Sequence, residues 1–189
     1  NYIGKKINTA IFISGTGSNM RNLIKFSNAN KSPINVKLVI SSNKNAKGIV
    51  YASKKKIANY SFKFSDLKYA EKNIFKILSE KKIKLICLAG FMKILSHNFI
   101  KKFKGKIINI HPSLLPKYKG LNTYNRVLKN GEKYTGCTVH FVNSKLDGGK
   151  IILQKKIKIL KKDTAISLKK RVQKEEYLLY PRAIKKIIN

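Results

Sequence analysis

The sequence predicts an α/β fold: a doubly wound, mostly parallel sheet of about seven strands with an antiparallel C-terminal extension. Apolar runs of strand length alternate with segments of helical spacing, as in parallel sheets that are covered by helices. Several of these runs are apolar on both faces, which is typical of strands buried between two helix layers. The last two runs have no helix between them, which favours an antiparallel pair. At 189 residues, we expect one domain over residues 1–189.

Five strands are predicted in the first part of the chain, at residues 7–14, 34–41, 60–64, 83–89 and 106–111. Helical periodicity marks three segments between them, at residues 20–26, 46–57 and 67–82. Two more strands are predicted at residues 134–142 and 150–159. A last helix begins near Asp163 and Thr164, either of which would cap it, and runs toward Tyr180. Pro181 is expected to bend that helix.

The charge of the chain is extreme: 42 basic residues stand against 8 acidic ones, a formal net charge of +34. A nucleic-acid-binding protein is one interpretation of such a charge. However, the lysines are spread along the whole chain and only four of the basic residues are arginines, the side chains that nucleic-acid sites favour. Asparagine and isoleucine, which share A/T-rich codons with lysine, are also plentiful. We interpret the charge as compositional drift, and its field would still attract small anions.

Other compositional features narrow the class of protein. No run of about 18 apolar residues occurs, so we expect no membrane span. Cys87 and Cys137 both lie in apolar runs without metal-ligand spacing, which predicts buried thiols in a reducing compartment.

A glycine-containing turn, Gly-Thr-Gly-Ser-Asn at residues 15–19, joins the first strand to the first helix. Glycines let backbone N–H groups approach a ligand closely, and the start of a helix favours negative charge. The turn lacks the third glycine of a dinucleotide fingerprint and the Gly-Lys-Ser/Thr of a triphosphate loop. An ordinary tight turn is the alternative, but the pattern favours a site for an anion such as a monophosphate.

Asn109 and His111 end the fifth predicted strand, and Pro112 follows at once, so a stiff loop begins there. Alternate residues of a strand point to the same face, which places the amide beside the imidazole. Acyl-type chemistry uses such a pair, one group for an oxyanion and one for proton movement. The alternative is that both side chains only satisfy the backbone of the loop.

Asp147 lies in Leu-Asp-Gly-Gly between the last two strands and is one of only eight acids. Asp-Gly is a common hairpin turn, but a carboxylate near His111 would stabilise the charged imidazole and orient the ring. His140 lies in a strand of alternating pattern and fits a core histidine equally well, and His97 is interpreted as structural. Three histidines without close spacing predict no metal site.

Four segments, taken in order, resemble a known family. They are Ser-Gly-Thr-Gly-Ser-Asn at residues 14–19, Ala-Gly-Phe-Met-Lys-Ile-Leu at 89–95, Asn-Ile-His-Pro-Ser-Leu-Leu-Pro at 109–116 and Leu-Asp-Gly-Gly at 146–149. Together they are similar to the phosphoribosylglycinamide formyltransferase family, from about Thr9 to Pro181. The Asn-x-His and the later Asp are common to the formyl-folate superfamily, whereas the first and last segments narrow the resemblance to this member.

The resemblance implies a cytoplasmic, Rossmann-like transferase of purine biosynthesis and one-carbon metabolism. Such an enzyme transfers a formyl group from the folate co-substrate 10-formyltetrahydrofolate to the amine of glycinamide ribonucleotide, by direct attack through a tetrahedral intermediate and without a metal. Three sets of residues then acquire implied roles. The catalytic residues are Asn109, His111 and Asp147; the substrate-binding residues are Gly17, Ser18, Asn19 and Glu176; the cofactor-binding residues are Met92, Lys93, Ile94, Leu95 and Asn109.

The resemblance also implies that Asp147 pairs with His111 and raises its pKa. Three positions depart from the family pattern. Lys93 stands where arginine is common, which keeps the charge but removes the planar fork. Asn122 replaces a histidine often found there. The basic residue expected at positions 64–68 is not assigned, since Leu67 aligns best and Lys68 follows it.

Two classes of alternative function stay open at this point. One is a related formyl-folate enzyme, either a hydrolase or a methionyl-tRNA formyltransferase. These usually carry an extra domain, for which 189 residues leave no room, and the phosphate loop favours the ribonucleotide. The other class is a non-enzymatic nucleic-acid-binding protein. We expect small-molecule substrates, no specific nucleic acid, no membrane, and a monomer or a homodimer.

Overall fold

The structure, a computed structural model, describes residues 4–188 of the chain. Its strands are β1 (Ile7–Ile13), β2 (Ile34–Ser41), β3 (Ala58–Ser61), β4 (Leu85–Leu88), β5 (Lys106–His111), β6 (Tyr134–Phe141) and β7 (Ile151–Lys158). Its helices are α1 (Ser18–Ser27), α2 (Lys47–Lys54), α3 (Leu67–Glu80), α4 (His97–Lys102), α5 (Thr123–Lys129) and α6 (Ala165–Ile188). The strands form one sheet in the order β3-β2-β1-β4-β5-β6-β7. The chain divides into two compact units within β5, one ending at Ile108 and the other starting at Asn109.

In the first unit, β1 is the central strand and pairs in parallel with β2 and with β4. Residues 9–13 of β1 are all buried, which explains why this run is apolar on both faces. The winding of the sheet reverses between β1 and β4, since β2 and β3 lie on one side of β1 and β4 on the other. Open α/β sheets bind ligands beyond the carboxyl ends of the strands at such a switch point. The loops that follow β1 and β4 are therefore the candidates for ligand binding in this unit.

In the second unit, β6 and β7 pair antiparallel, with Cys137 opposite Lys155. The long helix α6 packs against both strands and buries a stripe of apolar side chains, among them Leu168, Val172 and Tyr180. These residues are four and eight residues apart, which is the spacing that places side chains on one face of a helix.

These features confirm the predicted fold class, a seven-stranded, mostly parallel sheet with antiparallel C-terminal strands. The predicted bounds of β2 and β5 are also confirmed. Cys87 and Cys137 are buried free thiols, as predicted. No helix within residues 4–188 is long and apolar enough to cross a membrane.

Several predicted bounds are wrong, for local reasons. β3 starts at Ala58 instead of residue 60, because its start is set by pairing with Leu38 of β2 while its side chains are half-buried or exposed. α2 ends at Lys54 instead of residue 57, because Lys56 takes a left-handed φ of 55° and the Ile57 N–H turns back to the carbonyl of residue 52.

The C-terminal helices also differ from the prediction. α5 is not anticipated by the sequence pattern, since Asn122 before it has a φ of 58° and makes no side-chain cap. α6 continues through Pro181 to Ile188, because Ala183 and Ile184 beyond the proline are fully buried. At the start of α6, the Thr164 hydroxyl accepts a hydrogen bond from the N–H of residue 167, so Thr164 is the capping residue.

Candidate active site

The turn between β1 and α1 has the geometry of an anion cradle. Gly17 precedes α1 with a φ of 70°, in the left-handed region that favours glycine. A Cβ at Gly17 would lie 2.9 Å from the Met20 Cε and 3.1 Å from the Gly48 Cα, so a side chain there would be crowded as well as strained. The first intrahelical bond of α1 runs from the Arg21 N–H to the Gly17 carbonyl. The positive end of the helix dipole therefore starts at Gly17, in a backbone free of side-chain bulk.

The loop after β4 is tied to the loop after β1 through Ser14. The Ser14 hydroxyl accepts a hydrogen bond of 2.8 Å from the Met92 N–H. It lies 2.6 Å from the Ser42 hydroxyl, and the Ser14 N–H donates to the Gly90 carbonyl. Ser14 thus fixes the backbone of both loops at the switch point of the first unit.

The predicted folate-binding segment divides into exposed and buried side chains. Met92 and Ile94 are 63% and 69% exposed, and Lys93 between them is exposed as well. Leu95 is only 4% exposed and belongs to the core. This segment therefore offers two apolar side chains and one cation to a ligand, while Leu95 anchors the segment.

The predicted catalytic residues meet in the second unit. The His111 Nδ1 lies 3.3 Å from an Asp147 carboxylate oxygen, the contact that the sequence left unproved. The other Asp147 oxygen lies 3.6 Å from the His140 Nε2. The Asn109 amide nitrogen lies 3.4 Å from the same His140 nitrogen. Asn109, His111, Asp147 and His140 thus form one cluster.

Both ring nitrogens of His111 face oxygen acceptors. The Nε2 lies 2.8 Å from the Tyr118 carbonyl oxygen, and the Nδ1 faces Asp147. A neutral imidazole carries one N–H, whereas an imidazolium carries two and satisfies both acceptors. The cluster is therefore arranged to accommodate a protonated His111.

The pKa of His111 nevertheless lies below its ordinary value. Burial is the main cause, and it outweighs the Tyr118 carbonyl and the Asp147 carboxylate, which both raise this pKa. His140 and Arg126 act in the same direction as burial. Asp147 raises the pKa of His111, as the family resemblance implies, but burial outweighs this effect and the net pKa is lowered. Negative charge developing nearby would favour the protonated ring again.

The carboxyl group of Asp147 stays ionised at neutral pH. Burial raises its pKa, but the His140 imidazole, the Gly120 N–H and the His111 ring together outweigh burial, and the net pKa lies below the ordinary value. Asp147 is therefore the fixed negative charge of a cluster that contains two imidazoles.

The loop between β6 and β7 explains how Asp147 is aimed. This loop covers residues 142–150, so Asp147 does not sit in a two-residue hairpin. The Gly120 N–H donates to the Asp147 carboxylate at 2.9 Å, and Asp147 itself takes a φ of 45°. A Cβ at Gly149 would lie 1.7 Å from the Phe141 carbonyl oxygen, so the chain approaches β6 where only glycine fits.

Glu176, a predicted substrate contact, lies on α6 in the second unit. It is 6% exposed, beside Tyr124 and Cys137. Burial raises the pKa of the Cys137 thiol to about 12, and the Glu176 charge adds to this rise. Burial and Glu176 raise the pKa of Tyr124 as well.

Three residues of these sites are not assigned by sequence reasoning: Ser14, Tyr118 and His140. His140 is 2% exposed, as a core histidine would be, yet it also contacts Asp147 and Asn109. Tyr118 contributes its carbonyl oxygen, which side-chain identity does not reveal. Within residues 4–188, no group of three or more His, Cys, Asp or Glu side chains could hold a metal ion.

Comparisons with known proteins agree with this fold and cluster. The formyl transferase family model matches residues 7–184. The chain is 42% identical over 184 residues to phosphoribosylglycinamide formyltransferase of Haemophilus influenzae, covering 96% of this chain and 86% of that protein. The crystal structure of phosphoribosylglycinamide formyltransferase from Brucella melitensis superposes with a TM-score of 0.92 at 42% identity, covering 97% of this chain and 96% of that one.

The human trifunctional purine biosynthetic protein adenosine-3 is 39% identical over 184 residues, 95% of this chain and 18% of that protein. Fold, cluster and family model together define an enzyme that transfers formyl groups. More narrowly, the chain belongs to the phosphoribosylglycinamide formyltransferase family.

Proposed function

We propose that this formyltransferase takes its formyl group from 10-formyltetrahydrofolate and transfers it to the amine of glycinamide ribonucleotide, a step of purine biosynthesis. The observation that carries the proposal is the cluster of Asn109, His111 and Asp147 in a member of this family. The amide, the imidazole and the carboxylate supply an oxyanion donor, a proton donor and a fixed negative charge.

The proposed reaction makes one C–N bond and breaks another. The ribonucleotide amine attacks the formyl carbon, the bond from that carbon to the folate nitrogen breaks, and a proton lost by the amine is balanced by one gained at the folate nitrogen. The co-substrate supplies the formyl group, and the protein stabilises charge and moves protons. Negative charge grows on the formyl oxygen as the amine attacks, and this is where a preorganised donor lowers the barrier.

Each catalytic residue has a separate proposed role. Asn109 donates one amide N–H to the developing oxyanion, since its other N–H faces His140. His111 supplies a proton and, when protonated, a positive charge beside that oxygen. Asp147 stabilises the protonated ring and keeps it oriented.

The substrate-binding roles follow from shape and charge in the first unit and on α6. We propose that the backbone around Gly17, Ser18 and Asn19 binds the ribose phosphate, because Gly17 takes a left-handed φ in a crowded turn and the turn begins a helix. Glu176, a carboxylate in a chain of net charge +34, is proposed to bind a polar group of the ribonucleotide.

The folate role falls on residues 92–95. Exposed Met92 and Ile94 fit the apolar faces of a flat ring system, and Lys93 fits a carboxylate of the folate. Leu95 is proposed to act through its backbone, since its side chain is buried. Asn109 would also contact the formyl end of the co-substrate.

The test is a spectroscopic formyl-transfer assay on the purified chain, with and without glycinamide ribonucleotide. The proposal expects turnover that requires the ribonucleotide. Formate release without it would indicate the hydrolase of the same superfamily. An absence of turnover, together with steeply salt-dependent binding to random DNA or RNA, would instead favour a nucleic-acid-binding protein.

We expect Gly17→Ala to raise the KM for the ribonucleotide by about tenfold, with a smaller change in kcat. The new Cβ would lie 3.1 Å from the Gly48 Cα, so the turn would have to shift and its backbone N–H groups would move away from the phosphate. A loss of about 1.4 kcal/mol of binding free energy corresponds to a factor of ten in KM. Steady-state kinetics with the ribonucleotide varied measures the effect.

Gly131→Ala is the matched control for Gly17→Ala. Gly131 has a similar φ of 61°, but a Cβ there would meet nothing within 4 Å. Its alanine variant should lose comparable stability and keep the KM for the ribonucleotide. An equal rise of that KM in both variants would contradict the assignment of the turn at Gly17 as the phosphate-binding site.

The domain organisation, the localisation and the partners concern the whole chain. We propose that residues 1–189 act as one formyltransferase domain, since the family model extends over both compact units. The reduced thiols of Cys87 and Cys137 suit the cytoplasm. We propose small-molecule partners, no specific nucleic acid, no metal, and a monomer or a homodimer.

A further inference from the structure

Tyr118 contacts His111 through its backbone and is itself held through its side chain. Its carbonyl oxygen accepts a hydrogen bond of 2.8 Å from the His111 Nε2. At the other end, the Tyr118 hydroxyl donates to a Glu132 carboxylate oxygen at 2.8 Å and accepts from the Asn130 amide at 3.0 Å. The Arg126 guanidinium lies over the ring, 5.3 Å from its centre. Tyr118 is thus fixed at both ends.

Glu132 is the hydrogen-bond acceptor that holds the Tyr118 side chain. It accepts hydrogen bonds from the Tyr118 hydroxyl and from the Lys117 ammonium, the latter at 3.2 Å. These two bonds lower the pKa of Glu132, so it remains an ionised acceptor at neutral pH. A hydroxyl bonded to an ionised carboxylate is held more strongly than one bonded to a neutral acceptor.

The backbone around Tyr118 needs such anchoring. Tyr118 has a φ of 56° and Gly120 a φ of 77°, two left-handed residues within one short segment. A non-glycine residue in that region carries a cost of about 1–2 kcal/mol, so other contacts must hold it. Arg126 donates to the carbonyls of Lys119 and Leu121 and fixes the rest of the segment.

The same segment touches both members of the ion pair. The Tyr118 carbonyl contacts His111, and two residues later the Gly120 N–H donates to Asp147 at 2.9 Å. One acceptor and one donor of a single backbone turn therefore fix the imidazole and the carboxylate relative to each other. Groups that orient metal-binding histidines typically change affinity or activity ten- to a hundredfold when they are removed, and we take the lower end of that range as the scale for His111.

We propose that Tyr118, anchored by Glu132 and Asn130, is a positioning residue: its carbonyl oxygen holds the His111 ring in the orientation in which Nδ1 faces Asp147. The proposal rests on the proposed catalytic role of His111, and it adds Glu132 and Asn130 to the residues on which the reaction depends. Neither side chain contacts His111 itself; both act through Tyr118.

Tyr118→Phe is the direct test, because it removes the hydroxyl and keeps the ring and the carbonyl. We expect kcat to fall about tenfold, with little change in either KM. Because the carbonyl contact raises the pKa of His111, loosening it should lower that pKa. The other charged groups that face His111, namely Asp147, His140 and Arg126, are unchanged in the variant. The descending limb of the kcat–pH profile, where the protonated ring is lost, should move to lower pH.

The pKa of His111 is also measured without substrates, by NMR titration of the ring in the free protein. This readout separates the positioning role from the proposed reaction, since it does not require turnover. Glu132→Ala should reproduce both effects from a neighbouring side chain, and Glu132→Gln, which keeps an acceptor for the hydroxyl, should restore part of the activity. The losses from Tyr118→Phe and Glu132→Ala should not add, because both act through one contact.

Tyr69→Phe is the matched control, since Tyr69 is 63% exposed on α3. An unchanged kcat, pH limb and His111 titration in both Tyr118→Phe and Glu132→Ala would overturn the proposal. If the variants lower the pKa of His111 but the wild-type protein shows no formyl transfer, the positioning role of Tyr118 is supported and the proposed reaction is rejected.

Discussion

His111→Ala is expected to lower kcat by about 10²- to 10⁴-fold, the usual contribution of a positioned proton donor. The side chain is 5% exposed and contacts both Asp147 and the Tyr118 carbonyl, so nothing else in the cluster can take its place at that position. KM should change little, because the lost interaction belongs to the transition state. Steady-state kinetics over a range of pH measures the effect, and the descending pH limb assigned to His111 should disappear.

The control for this variant is His97→Ala, at an exposed position at the start of α4. It removes the same ring and should keep wild-type kinetics. Asp147 retains the Gly120 N–H and His140 in the His111→Ala variant, so we expect circular dichroism to show a folded protein. A kcat within a few-fold of wild type, in a folded protein, would contradict the catalytic assignment.

The fold is largely predictable from the sequence where burial controls the pattern. β1 ends in an unbroken apolar run and five of the eight residues of β2 are apolar, because both are interior strands, and their predicted ranges agree with the structure to within one residue. β3 and α5 are less predictable, because an edge strand needs few apolar residues and a seven-residue helix has little room for a period. Their bounds are set by tertiary contacts that single-sequence patterns do not contain.

The sequence is sufficient to predict which residues belong to the site, but not how they are arranged in space. Asn109 and His111 are adjacent by strand alternation alone. Asp147 reaches His111 only because the loop before β7 is shaped by Gly149 and held by the Gly120 N–H. Backbone donors and acceptors such as these leave no mark on side-chain identity. The direction of the His111 pKa shift is also not predictable from the sequence, because it is set by the burial of the ring and the Asn-x-His motif does not reveal burial.

Asn109→Ala is expected to lower kcat by about 10²- to 10³-fold, because removing one oxyanion donor typically costs about 3–4 kcal/mol. The amide nitrogen lies 3.4 Å from the His140 Nε2, which accepts one amide N–H in the tautomer whose proton is on Nδ1, beside the Phe141 carbonyl. This contact fixes the plane in which the second N–H points. The effect should appear in kcat and in kcat/KM equally, as expected for a contact that strengthens when the oxyanion forms. Asn98→Ala, at an exposed position of α4, is the control.

Asn109→Asp separates a donor role from a purely structural one. Aspartate has almost the same shape as asparagine, so a residue that only fills space beside His140 would tolerate it. An ionised carboxylate has no N–H to donate, and it would add a second negative charge to a cluster that already holds ionised Asp147. Repulsion between that charge and the developing oxyanion should make the loss larger than for alanine. If Asn109→Asp were instead more active than Asn109→Ala, shape rather than hydrogen-bond donation would be the contribution of Asn109.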